Sequence, residues 1–236
     1  MNFVKDLRKH YSRRFSQGGE DGVITRVLEI VGSTNRFYLE LGAGAGEECN
    51  TRLLRESGWT GVMLDCDYEN PAIGLYREFI TAENVNQLLA KYHVPGSFDV
   101  LSIDIDGNDY WVWKAISEEY RPRIVVAEFN AAIPSNIAVS MPYDPSFRWA
   151  GEPDVGMSLL ALQKLGASKG YSLVYARPPN GFLVLRRLLP PGYTELSAEQ
   201  SLGTGMALLL KAVPLLVRMR NKHWDAGLNR LPWVAV

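Results

Sequence analysis

Three glycines alternate with small residues directly after an acidic residue near position 40. The segment reads Glu40-Leu41-Gly42-Ala43-Gly44-Ala45-Gly46, and it continues the apolar run Phe37-Tyr38-Leu39. Because glycine has no Cβ atom, such a turn at the end of a strand presents bare backbone to a ligand. The segment therefore indicates a cofactor-binding turn, with Glu40, Gly42 and Gly44 as contacting residues, or a tight strand-to-helix connection that binds nothing.

The spacing of these glycines, and the acids that follow them, discriminate between cofactors. A dinucleotide fingerprint needs the pattern G-x-G-x-x-G, whose third glycine opens a helix that receives the pyrophosphate. Here the glycines occupy every second position, and Glu47 and Glu48 would repel a diphosphate. S-adenosylmethionine (SAM) has no phosphate, and Asp65, about 20 residues further on, can accept hydrogen bonds from its ribose hydroxyls. We therefore predict a SAM site in which Asp65 binds the ribose; the alternative is that Asp65 merely ends a solvated strand.

Acidic side chains also end the next two apolar runs. Asp104 and Asp106 follow one run, and Glu128 and Asn130 follow the next. Such an all-oxygen set suits Mg²⁺ or another hard divalent cation. We predict that Asp104, Glu128 and Asn130 bind this metal, and that Asp104 and Asp106 are catalytic, with Asp104 also beside the cofactor. Two alternatives stay open: acid–base catalysis without a metal, and purely structural roles in which Asp104 and Asp106 bond to backbone N–H groups.

Aromatic residues could enclose a small-molecule methyl acceptor. Alignment of donor and acceptor supplies most of the catalysis in a single displacement at carbon, so such an enclosure matters. The predicted acceptor-binding residues lie after the fourth strand and in a long loop: Tyr110, Trp111, Tyr143, Arg148 and Trp149. The alternative for Trp111 or Trp113 is packing of a helix onto the sheet.

The elements that must position these residues follow from hydrophobic periodicity. Apolar residues recur at helical spacing over residues 20–31, which predicts an amphipathic helix. Strands are predicted at 37–41, 61–65, 79–81, 98–104 and 123–129, helices at 47–57 and 159–166, and an antiparallel pair at 171–175 and 182–185. The alternation indicates a Rossmann-like α/β fold, a mostly parallel sheet covered by helices on both faces. Residues 131–156 contain four prolines and are predicted to form an ordered functional loop.

Composition excludes several classes of partner. The 236 residues carry a formal net charge of −1, which provides no field to attract nucleic acid. Two cysteines cannot build a disulfide framework, so a reducing cytoplasm is the expected compartment. The first residues have no apolar signal core, and charges interrupt the long apolar runs, so we expect neither a secretory signal nor a membrane span.

The C-terminal part of the chain is predicted to be a separate unit. We expect a catalytic domain over residues 1–186 and a helical extension over residues 187–236, strongly apolar between Met206 and Met219. The extension is interpreted as a lid, a dimer contact or a membrane-surface helix. Its apolar face is broad, which favours burial against a second copy of the chain.

Several segments resemble the small class I SAM-dependent methyltransferases of the FkbM-like kind. The matching segments are 16–22, 40–46 running into 48–52, 79–84, 101–111 and 142–149, and together they cover roughly residues 11–185. The resemblance implies a sheet of about seven strands with the last one antiparallel. It implies that Gln17 and Asp21 reach the methionine end of SAM, that Asn50 belongs to the cofactor site, and that Thr81, Ala82 and Glu83 lie near the adenine.

The acids are also similar to those of metal-dependent small-molecule O-methyltransferases. That group has an adjacent acid–Asn pair, whereas this chain has Glu128-Phe129-Asn130. We therefore predict SAM-dependent O-methylation of a small molecule, assisted by a divalent cation. The alternatives are metal-free N- or carboxyl-methylation and a SAM-binding protein without turnover; a nicotinamide-dependent oxidoreductase is disfavoured by the glycine spacing.

Overall fold

A computed structural model describes residues 3–152, 154–203 and 233–236. The described helices are α1 Phe3–Lys9, α2 Glu20–Val31, α3 Arg52–Glu56, α4 Val85–Lys91, α5 Asp109–Ala115, α6 Leu159–Ser168 and α7 Ala198–Leu202. The described strands are β1 Phe37–Leu41, β2 Thr60–Asp65, β3 Leu75–Arg77, β4 Ser97–Ile103, β5 Arg121–Glu128, β6 Val139–Ser140, β7 Tyr171–Arg177, β8 Asn180–Leu185 and β9 Val234–Ala235. Single turns of 3₁₀ helix occupy Pro71–Ile73 and Arg186–Leu188.

Seven strands form one sheet in the order β3-β2-β1-β4-β5-β8-β7. Neighbours among the first five strands are parallel, and β8 is antiparallel to both β5 and β7. The predicted Rossmann-like fold, with the last strand of the sheet antiparallel, is confirmed. The order reverses between β1 and β4, and ligands of such sheets bind beyond the carboxyl ends of the strands at that point.

Each face of the sheet is covered because successive side chains of a strand point to opposite faces. Leu39 and Leu101 belong to one buried apolar cluster, and their neighbours Tyr38 and Val100 belong to the other. Residues of α4, α5 and α6 pack in the first cluster, and residues of α1, α2 and α3 pack in the second. Burial on both sides explains why the strands read as nearly continuous apolar runs.

Two predicted elements differ in extent from the observed ones. The helix predicted at 47–57 begins only at Arg52, because the backbone N–H groups of Asn50 and Thr51 donate to the Glu40 carboxylate. The third strand lies at Leu75–Arg77 and not at 79–81, since it pairs with Met63–Asp65 of β2. The predicted antiparallel pair and the helix at 159–166 are confirmed as β7, β8 and α6.

The long loop after β5 is fastened at several points. Its two residues Val139–Ser140 pair as β6 with β9, next to the C-terminal residue.

Helix α7, in the C-terminal part of the chain, packs against β7. The predicted helix between Met206 and Met219 lies outside the described residues, so the division at 186 stays a prediction. Within the described parts of the chain, no helix combines the length and apolar character needed to span a bilayer.

Candidate active site

A large cavity opens beyond the carboxyl ends of β1, β2, β4 and β5. Its volume is about 1040 Å³, at the upper end of the range of roughly 300–1,000 Å³ that small-molecule sites occupy. Residues from five regions line it: Gln17, the turn around Gly42 to Asn50, Asp65 to Tyr68 with Glu78 to Ile80, Asp104 to Asp109 with Glu128 to Ala131, and Pro178 to Asn180. Phe147, Arg148, Trp149 and Glu152 of the long loop complete the lining together with Val155 and Gly156.

Two of the three glycines in the glycine turn, Gly42 and Gly44, serve different purposes. Gly42 has φ +83°, and a Cβ atom there would lie 1.7 Å from the carbonyl oxygen of Asp104, so no other residue fits where β1 and β4 end together. Gly44 has φ +53°, and a Cβ atom there would meet open space. Gly42 therefore permits the close packing of two strand ends, whereas Gly44 leaves backbone bare toward the cavity.

Asp65 joins the glycine turn to the end of β2. One of its carboxylate oxygens accepts from the Gly44 N–H at 2.7 Å, and the other accepts from the N–H groups of Asp67 at 2.9 Å and Tyr68 at 3.2 Å. A carboxylate can accept about four hydrogen bonds. Asp65 lines the cavity with capacity for one more donor, as its predicted contact with a ribose hydroxyl requires.

Glu40 organises the segment after the glycine turn. Its buried carboxylate accepts from the N–H groups of Asn50 at 2.8 Å and Thr51 at 3.1 Å, and from the Thr51 hydroxyl at 2.5 Å. Burial raises the pKa of this carboxyl, and these hydrogen bonds oppose the rise. The Asn50 amide in turn donates to the Ser102 hydroxyl at 3.0 Å, so both predicted residues line the cavity from fixed positions.

Three carboxylates converge at the ends of β4 and β5. One oxygen each from Asp104, Asp106 and Glu128 lies within 4.8 Å of the others. Burial, followed by repulsion from Glu128, holds the pKa of Asp104 well above its ordinary value. Burial, followed by repulsion from Asp109 and Asp106, raises the pKa of Glu128 to about 7. Within the described residues no lysine, arginine or histidine forms an ion pair with the three, and only a hydrogen bond with Asp104 opposes the rise of the Glu128 pKa.

The turn that carries Asp106 is fixed by Asp109. The buried Asp109 carboxylate accepts from the N–H groups of Ile105 and Gly107, both at 2.9 Å. Asp106 itself has φ +55°, a left-handed conformation that aspartate tolerates better than most residues. In this turn Asp109 accepts the backbone hydrogen bonds that were the structural alternative for Asp104 and Asp106, and Asp106 belongs to the carboxylate cluster.

The carboxylate cluster fits a hard divalent cation. Its donors are oxygens only, and a cation between them would remove the repulsion that raises their pKa values. Asn130 lines the same cavity, but its amide oxygen accepts from the Ala132 N–H at 2.9 Å, and its amide nitrogen donates to the Val155 carbonyl at 3.0 Å. Asp106 thus stands with Asp104 and Glu128, and the role of Asn130 as a metal ligand stays a prediction.

A second acidic group, Asp65, Cys66 and Asp67, is less suited to a metal. Asp67 forms an ion pair with Arg148 at 3.2 Å, and Asp65 already accepts three backbone hydrogen bonds. Burial, followed by its bond to Asp67, raises the pKa of the Cys66 thiol, which disfavours the thiolate. The charges of this group are therefore largely satisfied within the chain.

At the methionine end predicted for SAM, Gln17 and Asp21 have different positions. Gln17 lines the cavity, whereas Asp21 is buried behind it. One oxygen of Asp21 accepts from the N–H groups of residues 14–16 and from the Ser16 hydroxyl, at distances between 2.6 and 3.0 Å. Asp21 therefore shapes the segment that presents Gln17 and does not itself face the cavity.

Thr81, Ala82 and Glu83, the residues predicted near the adenine, are not among the described residues that line the cavity. The Ala82 N–H donates to the Tyr143 hydroxyl at 3.0 Å, and that hydroxyl donates to the Glu83 carboxylate. This turn thus holds the long loop, and the cavity wall at this level is made by Glu78, Phe79 and Ile80.

The predicted acceptor residues separate into two groups. Tyr110, Trp111 and Tyr143 lie outside the described lining, and the Trp111 indole donates to the Met141 carbonyl at 2.8 Å. Arg148 and Trp149 do line the cavity, but on the side that carries Asp67. Trp111 and Tyr143 therefore fasten the loop, and Arg148 lies beside Asp67.

Acidic side chains predominate in the lining of this cavity. Over the described residues, eleven acidic side chains and one basic side chain, that of Arg148, line it. A site with this balance repels phosphate and carboxylate groups and attracts cations.

Comparison with known proteins finds remote likenesses among solved structures, including the following three. No protein-family model matches the chain, and no curated protein matches it significantly. The MycE methyltransferase of the mycinamycin pathway, solved with Mg and SAH, is 14% identical with a TM-score of 0.41 over 85% of this chain and 55% of that chain. A SAM-dependent methyltransferase from Archaeoglobus fulgidus is 13% identical, with a TM-score of 0.35 over 72% of this chain and 75% of that one.

The third likeness is to phosphoethanolamine N-methyltransferase 1 of Haemonchus contortus, solved with phosphoethanolamine and S-adenosylhomocysteine. It is 14% identical, with a TM-score of 0.37 over 97% of this chain and 55% of that chain. The chain thus spans about half the length of this protein and of MycE. Likenesses at this level assign neither a family nor a ligand, and the resemblance to the FkbM-like kind stays a prediction.

Two buried asparagines in the lining were not foreseen. Asn108 donates to the Asp144 carbonyl at 2.7 Å, and Asn180 donates to Glu20 at 3.4 Å, but neither amide oxygen has a hydrogen-bond partner in the described structure. Asn180 lies opposite Glu128 in the pairing of β5 with β8. The Pro-Pro-Asn-Gly turn that carries it was a signal for a hairpin alone, since its approach to the cavity depends on the strand order.

Proposed function

We propose that this chain is a SAM-dependent methyltransferase that acts on a small molecule. The observation that carries the proposal is the acid-lined cavity into which the bare Gly44 backbone faces, with Asp65 bound to that turn. The cavity lies where Rossmann-like sheets bind nucleosides, beyond the strand ends at the reversal of strand order. Its volume accommodates a nucleoside cofactor together with a small acceptor.

The charge of the lining supports SAM against a dinucleotide. A pyrophosphate carries two negative charges and would meet eleven acids and one arginine. SAM carries no phosphate, and its sulfonium gives it a positive charge where the methyl group is bound. The cavity therefore favours the cofactor with the sulfonium, as the glycine spacing also predicts.

We further propose that the methyl acceptor is a hydroxyl group and that a divalent cation assists the reaction. Asp104, Asp106 and Glu128 would hold the cation through carboxylate oxygens. Such an ion acts as a Lewis acid that lowers the pKa of a hydroxyl group. The acceptor oxygen then forms the bond to the methyl carbon, the methyl–sulfur bond breaks with its electron pair on sulfur, and the hydroxyl proton leaves to a base.

Metal-free transfer to nitrogen or to a carboxylate has one observation in its favour. The pKa of Glu128, raised by burial to about 7, suits a group that takes a proton from a nitrogen acceptor at neutral pH, whereas a carboxylate acceptor has no proton to lose. In that case Glu128 is the base and Asp104 its neighbour. Manganese binding decides between the two functions, because only the first requires an ion at the carboxylates.

Calorimetry with SAM and with NAD tests the cofactor, and Mn²⁺ titration followed by electron paramagnetic resonance tests the metal. We expect SAM to bind and NAD not to bind, and we expect Asp104→Asn to lose Mn²⁺ while SAM still binds. Asp67→Asn is the matched control, since it alters the second acidic group. Binding of NAD without SAM would overturn the function, and equal Mn²⁺ binding by Asp104→Asn and the wild type would overturn the metal site.

Two further proposals concern the chain as a whole. We propose that the extension over residues 187–236 joins two copies of the chain, which light scattering on the full chain and on a chain ended at residue 186 would test. We also propose a reducing, cytoplasmic location, with which the unpaired Cys49 and Cys66 agree. Localisation of a tagged chain by microscopy tests it.

A further inference from the structure

We propose that Arg148 and Trp149 form one wall of the site for the nucleoside part of the cofactor. This inference rests on the proposed function and names a contribution from the loop after β5, which the sequence assigned to the acceptor. Its support is the position, exposure and charge environment of these two side chains.

Position is the first argument. The Arg148 guanidinium lies 3.2 Å from the Asp67 carboxylate and 5.0 Å from the centre of the Phe79 ring. Both partners follow the strands β2 and β3, at the edge of the sheet. Glu128 ends β5, three strands away from β2, and at about 4.8 Å per strand this separation is about 14 Å. Arg148 therefore lies over the Asp65 end of the cavity, away from Glu128.

Exposure is the second argument. Tyr68 is 51% exposed and Trp149 is 53% exposed, and both line the cavity. Trp149 is nonetheless fixed, because its indole donates to the Glu152 carbonyl at 2.8 Å and the Glu152 carboxylate accepts from the Ala150 N–H at 2.8 Å. Large aromatic surface that is held in place inside a concave site suits stacking by a planar group.

Charge is the third argument. At this end the Asp67 carboxylate is paired with the Arg148 guanidinium at 3.2 Å, so the lining carries one charge-compensated acid. At the other end Asp104, Asp106 and Glu128 have no cationic partner among the described residues. An uncharged purine fits the paired end, and the positively charged sulfonium fits toward the unpaired one. An arginine plane and an aromatic ring are groups on which nucleobases stack.

The attachment of the loop agrees with this assignment. Tyr143 bonds to the Ala82 N–H and to the Glu83 carboxylate, so the loop is anchored on the turn predicted to contact the adenine. Five residues later the same loop brings Arg148 onto Phe79. The loop thus covers this end of the cavity from an anchor that lies outside it.

Calorimetry with S-adenosylhomocysteine and with 5′-deoxy-5′-methylthioadenosine tests the inference, since both carry the nucleoside. We expect Trp149→Ala to weaken both ligands at least about 5-fold, as loss of one stacked base predicts, and Trp149→Phe to retain most of the affinity. Arg148→Gln and Arg148→Lys should lower the affinity for both ligands to a similar extent. Lysine retains the positive charge of arginine but lacks the planar guanidinium group on which a base stacks. The exposed Arg187→Gln is the control.

The outcomes separate this inference from the proposed function. If the wild-type chain binds neither ligand, the proposed function fails and the inference fails with it. If the wild type binds both, but the Arg148 and Trp149 variants bind within twofold of it, the inference alone is overturned. A loss with S-adenosylhomocysteine alone also overturns it, because these residues then contact the amino acid part. Quenching of tryptophan fluorescence by the ligands, absent in Trp149→Phe, is the spectroscopic sign of the stack.

Discussion

Glu128 makes the stability of the metal-free protein depend on pH. Burial, followed by repulsion from Asp109 and Asp106, raises the pKa of Glu128 from 4.5 to about 7. A carboxyl group whose pKa is raised by folding stabilises the folded state below its unfolded value of 4.5, and that stability is lost as the pH rises through 7. At about 1.4 kcal/mol per pKa unit, the whole interval amounts to about 3 kcal/mol, of which about 2 kcal/mol falls between pH 5.5 and pH 8.

Unfolding in EDTA at pH 5.5 and pH 8 measures this loss. We expect the free energy of unfolding of the wild type to fall by about 2 kcal/mol from Glu128 between these conditions, a Tm decrease of about 4–8 °C for a chain of this size. Glu128→Gln does not titrate, so its decrease should be smaller by that amount. Glu119→Gln, at an exposed position, is the matched control and should behave as the wild type.

An equal pH dependence in Glu128→Gln and the wild type would refute the reasoning, because the repulsion would then not act on this carboxyl. The proposed metal site adds a second comparison. Saturating Mg²⁺ at pH 8 should raise the Tm of the wild type, since a ligand that binds the folded state stabilises it. It should raise the Tm of Glu128→Gln less.

Three other substitutions test the site. Gly42→Ala should lower the free energy of unfolding by about 2–5 kcal/mol, because of its positive φ and the contact with Asp104. The control Gly58→Ala, with open space around it, should lower it by about 1–2 kcal/mol. Equal losses in urea unfolding would contradict the close contact at Gly42. Asp65→Asn should weaken SAM binding by calorimetry about tenfold or more, since a neutral amide replaces an acceptor of charge-assisted bonds, and unchanged affinity would remove the ribose contact. Tyr143→Phe, which loses both loop hydrogen bonds, should speed proteolytic cleavage of the loop without lowering the Tm by more than a few degrees, and an unchanged cleavage rate would contradict the anchoring.

The sequence predicted the parts of the site that depend on neighbours along the chain and on strand order. The glycine turn, Asp65, Asp104 and Glu128 all lie at strand ends, and parallel strands bring such ends together whatever the loops do. Burial of the strands on both faces made their apolar runs easy to recognise. These features follow from local pattern and topology.

Loop residues could not be predicted in the same way. Asn130 is predicted to bind a metal, a role that stays a prediction, and the structure shows its amide bonded to the Ala132 N–H and the Val155 carbonyl. Tyr143 was expected in the acceptor site, yet its hydroxyl bonds to the turn at 82–83. In each case two hydrogen bonds decide which way the side chain points, and no periodicity in the sequence records them.

The close contact between Gly42 and the Asp104 carbonyl limits which parts of the cavity lining can vary. No methyl group fits between these two residues, so the cofactor turn and the first acid of the cluster form a single rigid frame. Much of the remaining lining, between Phe129 and Gly156 and at Pro178 and Pro179, belongs to loops attached around that frame. Under the proposed function, exchange of those loops is therefore expected to alter the acceptor while the glycine turn and Asp104 keep their relative positions. The rigid frame and the loops can therefore change independently of one another.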